Sequence, residues 1–250
     1  MVYAATEVKG GVGKTTFSNH ILPFLTDSKI VVEIDNSNFS SIYSESKLIK
    51  GISLSTAQKE IERAIDEAEF VSDEHGVIID AGGGDDSLKV IEALKKSGIE
   101  CEFYLPLAPD FETLAGLEKT LNTIGGNGKV HLVLSRFDSR NLEGDYWFIY
   151  GSEEYGVAGN TAILDKFDSI IKVPNTNLMS LAKAMKTTIW DLSLISQSYD
   201  FESIKQEWKK EGREIFFSKM ASHRLSISCH EYLEEVKDGI QIQQTKKSKK

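Results

Sequence analysis

Short runs of β-branched and aliphatic residues alternate along the chain with longer segments whose apolar positions recur at helical spacing. The runs Val2–Val8, Lys29–Asp35, Gly76–Asp80, Glu102–Pro106, Lys129–Ser135 and Ser169–Val173 are mostly apolar on both faces. That is the pattern of strands buried within a parallel sheet. Between them, Lys14–Leu25, Ser55–Ala68, Ser87–Lys96, Phe111–Ile124 and Leu178–Ile189 carry an amphipathic helical pattern. Repeated strand–helix–strand units predict an α/β fold, a doubly wound, mostly parallel sheet flanked by helices. No internal repeat and no Pro/Gly/Ser-rich linker cuts the pattern. Residues 1–198 are therefore expected to form one domain, residues 199–240 a helical extension packed on it, and residues 241–250 a basic, disordered tail.

Composition narrows the class. The chain has 250 residues, of which 40% are apolar and 27% charged, enough to bury a sizeable core. The two cysteines, Cys101 and Cys229, lie far apart and in no CxxC pair, which argues against a disulfide scaffold or zinc ribbon. The five histidines (His20, His75, His131, His223, His230) show no metal-ligand spacing and are expected to pack or face solvent. No run approaches bilayer-spanning length, and MVYAATEVKGG lacks the features of a signal peptide, so a cytoplasmic location is expected.

The net charge of −9 is uneven. From Asp200 onward there are 11 Lys+Arg against 9 Asp+Glu, leaving −11 on the first 199 residues. An acidic body repels a phosphate backbone over most orientations, so any nucleic-acid contact must come from a local basic patch.

The segment Asn141–Asn160 holds five aromatic residues and four glycines among acidic ones. Either it is a hairpin or loop covering the sheet edge, or it is a surface for a partner centred on Asp145–Tyr150. The first is favoured, because aromatic residues most often pack internally.

The strongest chemical signal is Lys9-Gly10-Gly11-Val12-Gly13-Lys14-Thr15-Thr16, between the first strand and the first helix. Glycines let the backbone curl so that successive N–H groups point at phosphate oxygens, where the helix N-terminus adds partial positive charge. Lys14 supplies a point charge for β/γ-phosphates, and the Thr15 hydroxyl suits Mg²⁺. Gly10, Gly11, Val12, Gly13 and Thr16 complete the cradle.

Val8 stands where a standard phosphate loop has its first glycine, and Lys9 precedes the double glycine. This form resembles the deviant Walker A box of the ParA/MinD family of P-loop ATPases. The resemblance implies that Lys9 reaches across a nucleotide-sandwich dimer to a sister subunit's phosphates, the part an arginine finger plays elsewhere. Val31–Asn38 resembles the family's D-x-D-P-Q strand end, with Glu33, Asn36 and Ser37 replacing its first Asp, Pro and Gln. Asp35 keeps the second carboxylate, which by resemblance positions the attacking water and helps hold Mg²⁺. A turn-capping Asp is the alternative there. Val77–Asp80 followed by Ala-Gly-Gly-Gly is similar to a Walker B strand, which makes Asp80 a Mg²⁺ ligand through water and Gly82–Gly84 a switch.

Leu105–Asp110, Val130–Asp138 and Val173–Asn175 resemble later family segments, with Pro174 and Asn175 near the adenine. Ser135 replaces the family's Asn at the end of the Val130–Asp138 segment. The resemblance covers about residues 1–195 and implies Mg²⁺-dependent ATP hydrolysis, an ATP-closed homodimer and a stimulating adaptor protein.

On a helical period, Phe201, Ile204, Trp208 and Ile215 share one face and should dock on the domain, while Lys205, Lys209 and Arg213 line a flank. That basic flank is either a solvated face or, with the Lys246–Lys250 tail, a nonspecific DNA contact that dimerisation would double. The leading expectation is thus a ParA-like ATPase for plasmid partition or a conjugation-linked positioning step. Alternatives are a MinD-like membrane-surface ATPase or a metabolic relative. The end, Ile240–Lys250, has too little apolar area for a stable membrane anchor.

Overall fold

The computed structural model describes residues 1–34, 46, 48, 50–54, 58–72 and 76–243. Asp35, His75 and Lys246–Lys250 lie outside the described residues.

An eight-stranded sheet runs through the molecule, formed by β1 (Val2–Ala5), β2 (Ile30–Ile34), β3 (Lys50–Leu54), β4 (Val77–Ala81), β5 (Cys101–Leu107), β6 (Lys129–Phe137), β7 (Ser169–Pro174) and β8 (Gln241–Ile242). Its order is β3-β2-β4-β1-β5-β6-β7-β8. All strands are parallel except β8, which pairs antiparallel to β7. The expected doubly wound, mostly parallel sheet is present. The chain grows from the central β1 first toward β2 and β3, then crosses to β5, β6 and β7. In such sheets the crevice where the order reverses, beyond the carboxyl ends of the strands, is where ligands bind.

Two apolar cores sandwich the sheet. One unites Val32, Ile79, Phe103 and Leu134 with α3 (Gln58–Ser72), α4 (Asp85–Ser97) and α5 (Thr113–Ile124), through Ile61, Ile91 and Leu117. The other joins Val31, Ile78, Val133 and Ile171 to α1 (Lys14–His20), α2 (Leu22–Thr26), α9 (Ile189–Leu194) and α11 (Arg213–Asp238), through Phe17, Leu22, Leu192 and Leu233. Every residue of β4 is buried, as strands covered on both faces require.

Several expectations change. The stretch Lys14–Leu25 is two helices, because Pro23 at the start of α2 has no N–H to continue α1. The helix expected over Leu178–Ile189 stops early as α8 (Leu178–Ala184), and after a turn with Lys186 at φ 55° α9 begins at Ile189. β3 and β8 had no counterpart in the pattern reading; Gln241–Ile242 stands in the segment expected to be the basic tail.

The segment 141–160 is not a regular hairpin. It makes two short turns, α6 (Leu142–Asp145) and α7 (Trp147–Tyr150), and one isolated bridge between Ser152 and Val157. Tyr146, Phe148 and Ile149 are buried in the core, so half of Asp145–Tyr150 faces inward.

Gly212, at φ 108°, ends α10 (Phe201–Lys210) and begins α11 in a new direction. The single face of Phe201, Ile204, Trp208 and Ile215 is therefore corrected: Trp208 is buried, whereas Ile215 belongs to α11 and is exposed. The flank of Lys205, Lys209 and Arg213 is split at the same point.

Candidate phosphate-loop site

β1 delivers the chain to the crevice, and residues Thr6–Gly13 cross it before α1 begins. Gly11 (φ 76°) and Gly13 (φ 100°) adopt left-handed backbone, which glycine tolerates without steric cost. This curl places Lys14 at the first position of α1, its side chain turned back into the loop. Its ammonium donates to the carbonyls of Glu7 (2.9 Å) and Lys9 (3.2 Å). Lys14 is buried, whereas Gly10, Gly11, Thr15 and Thr16 are exposed at the mouth and Val12 packs beneath.

Asp80 is the penultimate residue of β4, buried beside α1. Its Oδ1 accepts from the Ser18 hydroxyl at 3.0 Å, and the Thr15 hydroxyl also hydrogen-bonds to it. Burial pushes the Asp80 carboxyl up to about 7, and the nearby charge of Glu33 adds to that. The hydroxyls of Thr15 and Ser18 and the charge of Lys14 act the other way. Glu33 is the register partner of Asp80 on β2 and is itself buried, with Asn19 Nδ2 3.5 Å from its Oε1.

The glycines after β4 lie against the phosphate loop. Gly84 N donates to the Val8 carbonyl (2.6 Å) and Gly82 N to the Ile34 carbonyl (2.7 Å). A Cβ on Gly83 would stand 3.5 Å from Gly10 Cα and 3.9 Å from the Lys14 ammonium. The Ser87 hydroxyl ties the two loops together, accepting from Glu7 N (3.1 Å) and donating to the Gly82 carbonyl (2.6 Å).

Lys9 leaves the loop on its outer side and pairs with Glu112 of its own chain at 3.0 Å. That partner raises the Lys9 ammonium above its usual range. Lys14, Thr15 and Asp80 thus come together with the glycine loop. Pro174 and Asn175 sit at the end of β7, where Asn175 N donates to the Phe137 carbonyl (2.8 Å) and the Tyr232 hydroxyl to the Pro174 carbonyl (2.9 Å). Lys205, Lys209 and Arg213 lie on the α10–α11 hairpin instead. There Lys205 is 3.6 Å from Glu202 and lies over the Phe201 ring, and Arg213 lies over Phe217.

Sequence reasoning missed three participants. Glu7 and Ser87 carry hydrogen bonds that shape the loop, and the Ser18 hydroxyl donates to Asp80. Ser18 was within reach of inference, since it lies one helical turn after Lys14 on the face toward β4. Glu7 and Ser87, 80 residues apart, leave no local signal.

Fold and site together define the class as a doubly wound phosphate-loop fold with its glycine loop at the sheet's switch point. No family model and no curated protein sequence matches this chain. Solved structures do. The MinD cell division protein of Aquifex aeolicus aligns with a TM-score of 0.51 and 13% identity, over 78% of this chain and 89% of that one. The same figures hold for the Aquifex aeolicus MinC:MinD complex. A Cyanothece McdA–ATP complex aligns over 76% of this chain and 89% of that one, with 13% identity and a TM-score of 0.49. The chain therefore has the fold of the MinD cell division protein.

Proposed function

We propose that the chain is an ATPase of the ParA/MinD type, which closes a homodimer around ATP and opens it on hydrolysis. The observation that carries this is the Lys14 ammonium, folded back into a left-handed glycine loop at the start of α1, with Asp80 and Thr15 beside it. A cationic amine, a curled backbone and a helix N-terminus converging on one crevice are complementary to a triphosphate. Glu7 and Lys9 carbonyls hold the amine in place for that role.

The Asp80 carboxyl and the Thr15 hydroxyl are hard oxygen donors, adjacent and held by Ser18, and they fit a hydrated Mg²⁺. When bound, the ion would neutralise phosphate charge in the transition state. Asp35, as the water-positioning carboxylate, belongs to this proposal through the family resemblance alone, as does the placing of Pro174 and Asn175 at the base. Among the described residues nothing in the site resembles a Ser-His-Asp or Cys-His nucleophile, and the proposed chemistry rests on positioning and electrostatics. Slow turnover without an adaptor protein follows.

The work coupled to hydrolysis is proposed to be partition of DNA or another cargo, with Lys205, Lys209 and Arg213 as the nonspecific DNA contact. The exposure of Lys209 and Arg213 supports this, and a dimer would present the patch twice. A DNA titration with ATP, ADP and no nucleotide reads it directly. ATP-dependent binding lost on mutating these three residues supports the contact, and no binding in any state removes it.

The phosphate site itself is tested by equilibrium binding of ATP to the wild type and Lys14→Gln. Affinity should fall roughly 10- to 100-fold, the worth of one or two charge-assisted contacts. Unchanged affinity would place the nucleotide elsewhere.

A further inference from the structure

β6 carries an irregularity where it reaches the phosphate loop. Its pairing with β7 shifts register between Ser135 and Phe137, and the residue between them, Arg136, has φ 63°. Left-handed backbone is costly for a side chain as large as arginine, and such residues persist where the surroundings over-determine them. In a regular strand, consecutive side chains leave opposite faces. Here the bulge sends two consecutive side chains to the same target.

The Ser135 hydroxyl donates to the Val12 carbonyl at 2.8 Å, with the Leu107 carbonyl 3.1 Å away. The Arg136 guanidinium donates through one terminal nitrogen to the Gly11 carbonyl. Gly11 and Val12 carbonyls belong to two successive peptide groups of the loop. In a planar trans peptide the N–H points opposite to the C=O. Holding the Gly11 carbonyl therefore aims the Val12 N–H, and holding the Val12 carbonyl aims the Gly13 N–H. Ser135 is fixed in turn: its N–H donates to the Tyr146 hydroxyl at 2.8 Å, and that hydroxyl also lies against the Leu107 carbonyl.

We infer that Ser135 and Arg136 are positioning residues that preset two successive N–H groups of the phosphate loop for phosphate oxygens. This rests on the reading of the loop as a nucleotide site and goes beyond it. The end of β6 serves the phosphates through the loop backbone and not the base. The left-handed Arg136 is the backbone cost of bringing both side chains to one loop. The ligand chemistry is a nucleoside di- or triphosphate, since these N–H groups would serve phosphates common to both.

The test is calorimetric titration of ATP, ADP and adenosine into the wild type, Ser135→Ala, Arg136→Gly and Arg136→Lys, with melting temperatures recorded in parallel. Arg136→Gly relieves the left-handed backbone while removing the donor. Its melting temperature should stay within about 2 °C of the wild type. ATP and ADP affinities should fall together by about tenfold, the worth of one preset contact, and adenosine binding should not change. Ser135→Ala should act in the same direction, and Arg136→Lys, which keeps a donor, should recover most of the loss. Loss confined to ATP would indicate direct γ-phosphate contact and overturn the inference. A fall in melting temperature without a change in affinity would overturn it too, by making the pair merely structural. If the wild type binds neither nucleotide, the reading of the loop itself fails. If the wild type binds and all variants bind equally well, the loop reading stands and only this inference falls.

Discussion

The Lys9 ammonium and the Glu112 carboxylate are 3.0 Å apart within one chain. Glu112 is the N-cap residue of α5, on the same rim as the phosphate loop. If Lys9 is to reach a sister subunit's nucleotide, it must first leave this carboxylate. The pair is exposed and screened by solvent, so it opposes dimerisation only weakly. Glu112→Gln should therefore tighten the ATP-dependent dimer by up to about fivefold at low salt, with the effect fading as ionic strength rises. Sedimentation velocity across a salt series measures this; a weaker dimer in the variant would mean Glu112 contributes to the interface instead.

Glu7 is expected to make the stability of the fold depend on pH. Burial lifts its carboxyl from the ordinary 4.5 to about 7, opposed by the Lys9 backbone N–H at 3.2 Å and the charge of Lys14. A raised folded-state pKa means the native chain holds a proton that the unfolded chain releases. The contribution to stability is then full below about 4.5 and disappears as pH rises to about 7. Glu7→Gln should remove that slope, changing the pH dependence of unfolding by roughly 3 kcal/mol across the window. Urea unfolding of both proteins from pH 4.5 to 8 checks it, and parallel curves would contradict it.

Tyr146 is a core residue despite its polar tip. Its hydroxyl satisfies the Ser135 N–H, and its ring packs with Phe137 and Phe148. Tyr146→Phe keeps the ring and strands the Ser135 N–H, at a cost of about 1–3 kcal/mol. A lowered melting temperature by calorimetry is expected, whereas Trp147→Ala, at a half-buried position, should cost less.

Legibility in the sequence followed locality. The glycine loop, Lys14, Thr15 and the strand ending in Asp80 were readable because each is a short contiguous pattern in its proper strand or helix context. The doubly wound sheet was readable because β1, β2, β4, β5, β6 and β7 are dense apolar runs. β3, Lys-Gly-Ile-Ser-Leu, has too few apolar residues to stand out, and the two residues of β8 exist as a strand only through pairing with β7. The helix breaks at Ile21 and Lys186 lie within otherwise continuous amphipathic patterns, where periodicity alone does not mark an end. Glu7–Ser87 and Arg136–Gly11 are long-range contacts, set by how loops stack at the sheet's edge and not by spacing.

A substitution at Asp80 is expected to separate nucleotide binding from the proposed chemistry. Asp80→Asn keeps the hydrogen bond to Ser18 but loses the carboxylate proposed for Mg²⁺. Nucleotide affinity without metal should change by less than about threefold, while Mg²⁺-dependent phosphate release should drop by about 100-fold or more. Phosphate release measured against Mg²⁺ concentration decides it. Undiminished hydrolysis would remove Asp80 from the metal site.

The loop is proposed to grip a triphosphate and to hand Lys9 to a neighbouring subunit. Sedimentation equilibrium of wild type and Lys9→Ala, each with a non-hydrolysable ATP analogue or with ADP, tests this most directly. Wild type should be a dimer with the analogue and a monomer with ADP, and Lys9→Ala should stay monomeric while still binding the analogue. A Lys9→Ala protein that dimerises as readily as the wild type, or a wild type that stays monomeric when saturated with the analogue, would contradict it.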